Sequence, residues 1–264
     1  MSLNKFPIGI FDSGVGGTSI WKEIITHLPS ESTIYLSDSK NAPYGEKSEQ
    51  EIIDLSIKNT QFLLSKNCKI IVIACNTATT NAIKLLRKNY DIPFIGIEPA
   101  IKPAALKTKT NTIGILATKG TLNSELFEKT SSTINKEITI IEKVGKGLVE
   151  LIESGNLNSE KMTKLLSSFI KPMIDKKVDC LVLGCTHYPY LIPQIRELVG
   201  NKIQIIDSGE AVARQTKTIL ETNQLLNKSD TAGVHQFYIN KNKKVLEILI
   251  SGDKNNLKIS EEDF

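Results

Sequence analysis

NCKIIVIACNTAT, residues 67–79, decides the reading of this chain, because DCLVLGCTHYPY at residues 179–190 echoes it. Each stretch carries an early cysteine, an apolar β-rich run, a small residue, a second cysteine and then a hydroxyl-bearing turn. A continuous apolar run bounded by turn chemistry reads as a strand buried on both faces, the kind that parallel sheets use. The second cysteines, Cys75 and Cys185, lie about 110 positions apart, which is a domain's length. A weak repeat at that period predicts two similar α/β halves facing each other.

Other runs read as strands on the same grounds: residues 8–11, 33–36, 94–97, 113–117, 138–141 and 203–206, beside 70–74 and 181–184 within the repeat. Segments of helical periodicity lie between most of them. From Ile52 to Leu64 the apolar side chains gather on one side, and Ser48 with Glu51 three residues later forms a capping box at the start of that helix. Strand and helix in alternation predict parallel sheets flanked by helices, with ligands at the carboxyl ends of the strands.

Composition narrows the function classes. The 264 residues are 40% hydrophobic and 23% charged, a soluble globular balance. No apolar run reaches the roughly 18 uncharged residues of a membrane span. Met1 to Lys5 leads into a strand without a signal-peptide core, so a cytoplasmic protein is expected. The net charge of +4 is spread along the chain, not gathered into the one-sided basic stripe of a nucleic-acid footprint. Four cysteines in a reducing compartment are not expected to form disulfides, and their spacings do not match the C-x-x-C pairs of zinc sites.

Cys75 and Cys185 stand where a strand ends and a helix is predicted to start, a placement that favours thiolate. A buried structural thiol is the competing reading of any single cysteine, and Cys68 and Cys180 at the strand entries are assigned to it. The glycine-rich run FDSGVGG at residues 11–17 lets backbone approach a small anion and donate N–H groups to it. It matches neither nucleotide-binding glycine pattern. Asp12 within it is a loop carboxylate or cap, and becomes a counter-charge if the site holds an ammonium group. NAPYG at residues 41–45 is a turn in which Tyr44 can close over the core. His187, two residues past Cys185, can polarise that thiol or satisfy backbone. Glu153 sits in a helical segment where a carboxylate is ordinarily solvent-facing. His27 and His235 lie in no motif and are assigned no function.

FDSGVGG, PYG at residues 43–45, ACNTAT at 74–79, GIEPA at 96–100 and LGCTHYP at 183–189 together resemble the glutamate racemases in order and spacing. The resemblance runs from Pro7 to Ala213. It implies two pseudo-symmetric α/β domains with the active site in the cleft between them, the second (98–207) inserted into the first (1–97 plus 208–264). It implies catalytic roles for Cys75, Cys185, Asp12, His187 and Glu153, with Glu150, one helical turn away, open as the alternative carboxylate. Substrate-binding positions carried over by the same match are Asp12, Ser13, Tyr44, Gly45, Asn76, Thr77, Thr186 and His187. The lead-in SDSKNA before PYG departs from the family's usual one. No pyridoxal phosphate and no metal are implied. The implied activity inverts the α-carbon of glutamate by a proton removed on one face and delivered on the other, and would supply D-glutamate for peptidoglycan precursors. Glutamate is the implied partner, with no nucleic acid and no membrane. The oligomeric state, a homodimer included, is left open.

Overall fold

The computed structural model describes residues 3–251 and 256–264. In chain order the strands are β1 (Ile8–Asp12), β2 (Thr33–Ser37), β3 (Ile70–Ile73), β4 (Phe94–Gly96), β5 (Thr112–Ala117), β6 (Thr139–Val144), β7 (Cys180–Gly184), β8 (Gln204–Ile206), β9 (His235–Ile239) and β10 (Leu257–Glu261). They form two sheets in the orders β10-β9-β2-β1-β3-β4 and β6-β5-β7-β8. Every pairing is parallel. Each sheet is flanked by helices, so the expected α/β class holds.

The repeat seen in two short stretches extends to topology. The order β2-β1-β3-β4 of the first sheet matches β6-β5-β7-β8 of the second, which makes β3 the counterpart of β7 and β1 of β5. All residues of β1, β3 and β7 are buried, in keeping with their unbroken apolar runs, whereas the edge strand β6 has only exposed and half-buried positions. The capping box is present: Ser48 N–H donates to Glu51 Oε2 at 2.9 Å, and Glu51 N–H donates to Ser48 Oγ at 3.3 Å. It starts the helix Glu49–Ser65.

Two strands fall outside the sequence expectation. β9 and β10 extend the first sheet beyond β2, and their short runs lie among polar and charged neighbours that blur the strand signal. His235 opens β9, buried, with Nδ1 3.0 Å from Thr33 Oγ1 and its ring edge-on to Trp21. Its place is therefore structural. Among the described residues no helix is long and apolar enough to cross a membrane.

At the strand-entry end of the first sheet a charged pair is sealed in the core. Lys69 Nζ donates to Glu31 Oε2 and to the Asn4 carbonyl, while Glu31 Oε1 accepts from Asn227 N–H. The two side chains are 1% and 2% exposed. Removing one partner strands the other charge out of water, an effect of about 3–5 kcal/mol. Lys69→Met is expected to lower the unfolding free energy by about that amount, read from urea denaturation, and a change below about 1 kcal/mol would contradict the pairing.

Candidate active site

Asp12 ends β1 and is fully buried. Its Oδ2 accepts from Gly17 N–H at 2.6 Å, and Ser13 Oγ donates to its Oδ1 at 3.3 Å. The Cys75 thiol in turn donates to Ser13 Oγ at 3.6 Å. Cys75 caps the helix Asn76–Asn89, accepting Ala78 N–H at 3.4 Å on sulfur. The helix terminus expected from sequence is thus in place, but its effect is outweighed. Burial, then the Asp12 charge, push the Cys75 thiol well above its ordinary value. A thiolate there needs a further partner.

The second sheet presents a different surrounding to its own cysteine. After Cys185 the chain does not enter a helix directly; a 3₁₀ turn Tyr188–Leu191 precedes the helix Ile192–Val199. Cys185 Sγ instead lies 3.7 Å from His187 Nδ1, and His187 Nε2 donates to Glu153 Oε1 at 2.6 Å. Burial opposes charging His187, yet the hydrogen bonds and charges of Cys185 and Glu153 hold its pKa well above the ordinary histidine value. Gly16 N approaches the same Nε2 at 3.3 Å. With the proton on Nε2 this is close packing rather than a hydrogen bond.

FDSGVGG does meet an anion through its backbone, and the anion is the protein's own. Val15 N–H donates to Glu153 Oε1 at 2.7 Å. A Cβ at Gly14 would collide with the Glu153 carboxylate, and one at Gly16 with the His187 imidazole. The glycines therefore let the two halves close onto each other. Glu153 ends the helix Leu148–Glu153 and is buried, while Glu150 is exposed and lines a seam crevice with Gly45 and Thr118. Of the two carboxylates, Glu153 is the one gathered with the cysteines.

Further contacts cross the seam. Thr186 Oγ1 donates to Asp12 Oδ2 at 3.4 Å, and Ser19 Oγ donates to the Thr186 carbonyl at 2.9 Å. Thr77, Thr118 and Thr121 form a hydroxyl cluster, with Thr77 Oγ1 2.8 Å from Thr118 Oγ1. Neither amide atom of buried Asn76 has a hydrogen-bond partner among the described residues. Tyr44 points its hydroxyl elsewhere, donating to Asp38 Oδ2 at 2.5 Å and accepting from Asn59 Nδ2. It anchors its turn from inside the core, while Gly45 packs against Thr118. His27 lies against its own helix. Thr118, Thr121 and Ser39 belong to the neighbourhood but to none of the motifs. Thr118 follows β5 as Ser13 follows its counterpart β1, so extending the repeat by topology finds it.

A charge on Cys185 is the smallest of the causes that raise the Cys75 thiol. Cys68 and Cys180, at the entries of the same strands, are buried thiols pushed up to about 12 and about 11, chiefly by burial. They are inert at neutral pH.

Fold and seam together define an α/β enzyme in which buried ionisable side chains from both sheets' halves of the chain meet. The sequence profile of the Asp/Glu/hydantoin racemases matches residues 13–216. A glutamate racemase of Clostridium perfringens is 43% identical over 248 residues, 93% of this chain and 95% of the relative. Among solved structures, a glutamate racemase isoform of Bacillus anthracis superposes with a TM-score of 0.87 at 30% identity, covering 99% of this chain and 98% of its own. That of Escherichia coli, in complex with L-glutamate and the activator UDP-MurNAc-ala, does so with a TM-score of 0.85 at 30% identity, covering 97% and 98%. The chain belongs to the Asp/Glu/hydantoin racemase family.

Burial raises the Asp12 carboxyl from 3.8 to about 6, against the lowering effects of His187 and the Gly17 N–H. A carboxyl raised in the folded state contributes stability that is complete below the unfolded value and lost as pH rises through the folded one. Charged Asp12 at pH 7 thus destabilises the ligand-free fold by on the order of 3 kcal/mol. Asp12→Asn is expected to raise the melting temperature at pH 7, with the gain shrinking as the pH falls from 6 to 4. A lower melting temperature at pH 7 would show the carboxylate to be favourably held.

Proposed function

We propose that this chain interconverts L- and D-glutamate by a two-base proton transfer between Cys75 and Cys185. The observation that carries the reading is the pair of buried thiols just past the ends of topologically equivalent strands, β3 and β7, one against Ser13 and the other against His187. Inverting a carbon needs a base on one face and an acid on the other, and two thiols can exchange those roles. The relatives are named for glutamate, which sets the substrate. Supply of D-glutamate for peptidoglycan precursors, in the cytoplasm, belongs to the same proposal.

Each cysteine has its own acid–base chain. On one side the Cys75 thiol donates to Ser13 and Ser13 to Asp12; on the other, Cys185 lies against His187, which is held toward its charged form with Glu153 behind it. When Cys185 takes the α-proton, the electron pair left on carbon delocalises into the substrate carboxylate, and the Cys75 thiol delivers its proton to the opposite face. The reverse direction exchanges the two. Asp12 is the counter-charge for the substrate ammonium group. The unpartnered Asn76 amide, Thr77 and Thr186 supply hydrogen bonds to a carboxylate that gains charge in the transition state. Ser13, Gly45 and the Tyr44 turn complete the wall. All proton carriers in this scheme are side chains of the chain, and it calls for neither pyridoxal phosphate nor a metal. The moving bodies are proposed to be residues 1–97 plus 208–264 and 98–207, joined where Ser208 Oγ donates to the Glu98 carbonyl at 2.6 Å.

Cys185, His187 and Glu153 also have the connectivity of a nucleophile, base and orienting carboxylate. Thiol hydrolysis of an acyl substrate is therefore the second reading, although it leaves Cys75 without a task.

Cys75→Ser and Cys185→Ser are each expected to lower racemisation by at least about a thousandfold, within the range of lost acid–base catalysis, with the circular dichroism of the fold unchanged. Polarimetry on L-glutamate measures this, aspartate serves as the competing substrate, and an aryl ester tests the hydrolase. In heavy water the first D-glutamate formed should carry deuterium at the α-carbon. Retention of the substrate's own hydrogen would mean a single shared base.

A further inference from the structure

Ser39 lies in the turn after β2, in the SDSKNA segment whose sequence matched no motif. It is buried, and its hydroxyl donates to Glu153 Oε2 at 2.7 Å. The turn is held from several directions. Ser37 Oγ lies 3.0 Å from Ser39 Oγ, Asp38 N–H donates to the Asp12 carbonyl at 3.1 Å, and the Asp38 carboxylate accepts from Asn41, Tyr44 and Asn240. Ser39 is therefore presented in one place by a rigid support.

On the other side of the contact, Glu153 Oε1 already accepts from Val15 N–H and from His187 Nε2. Oε2 receives the Ser39 hydroxyl. A buried carboxylate keeps its orientation only while both oxygens are held, and the plane of the Glu153 carboxylate decides whether Oε1 faces Nε2. Glu153 and His187 come from the half of the chain that carries the second sheet, and Ser39 comes from the first. The hydroxyl thus completes the hydrogen bonding of Glu153 when the halves meet. Cys75 has no such tie to Ser39, its contacts being Ser13 Oγ and Ala78 N–H.

We propose that Ser39 is a positioning residue for proton transfer at Cys185, acting by holding the Glu153 carboxylate against His187, with no part in transfer at Cys75. The inference rests on the glutamate racemase reading.

Its test exploits the equal energy of the two enantiomers in water. The equilibrium constant is one, so kcat/KM must be equal in both directions for every variant, and rates alone cannot assign an effect to one cysteine. Isotope effects can. With α-deuterated L-glutamate the deuteron goes to one cysteine, and with α-deuterated D-glutamate it goes to the other. Ser39→Val removes the hydroxyl and Ser39→Thr restores it at equal side-chain volume; Ser39→Ala is the alternative hydroxyl-free variant if valine prevents folding.

Loss of the hydroxyl is expected to lower kcat/KM about tenfold or more, the size of a lost hydrogen bond to a charged group. The deuterium effect on kcat/KM should rise for one enantiomer and fall toward one for the other, because transfer at Cys185 becomes the slower step. Ser39→Thr should bring both values back toward wild type. Isotope effects that stay fixed, or move together, would make Ser39 a structural residue and overturn the proposal, as would an unchanged rate. Wild-type protein that leaves glutamate unracemised would instead defeat the functional reading beneath it.

Discussion

Three ionisable side chains, Asp12, Glu153 and His187, meet in the seam between the two sheets, all buried. Ionised groups removed from water are tolerated only when hydrogen-bonded and paired, and the seam is built to that requirement. Glu153 crosses to Val15 N–H and Ser39 Oγ, Asp12 receives Thr186 Oγ1, and His187 lies between Glu153 and Cys185. The halves therefore cannot settle in an arbitrary orientation. Only the arrangement that saturates these groups avoids stranding a charge.

The same constraint explains why the glycines stand where they do. A backbone N–H reaches the Glu153 carboxylate only because no Cβ stands at Gly14, and His187 fits only because none stands at Gly16. What reads in sequence as a loop for a bound anion is a loop that receives a side chain from the other half of the molecule. The physical basis is the one expected, small residues and exposed N–H groups, applied to a partner far along the chain.

A pseudo-symmetric scaffold here carries an asymmetric site. β3 and β7 are equivalent in topology, yet Cys75 looks toward a serine and a carboxylate, whereas Cys185 looks toward a histidine backed by a carboxylate. Burial raises the Cys75 thiol, while His187 next to Cys185 is held toward its charged form. The proposed two-base mechanism does not require its two thiols to share an environment. Each must only reach the protonation state its half of the transfer demands.

Periodicity and turn chemistry determined the strands β1 to β8, the capped helix Glu49–Ser65 and the likeness of the two strands that Cys75 and Cys185 follow, because each is a property of neighbouring residues or of a repeated segment. Those signals act over a few positions and survive in the sequence. β9 and β10 were not legible, since a strand added to a sheet edge draws its stability from partners distant in the chain. Only the tertiary structure decided that Glu153 rather than Glu150 meets His187, that Tyr44 turns to Asp38, and that Ser39 and Thr118 join the seam. These depend on which face of an element meets the opposite half. That choice is made by packing and by the need to satisfy buried charge, and neither is written in local sequence.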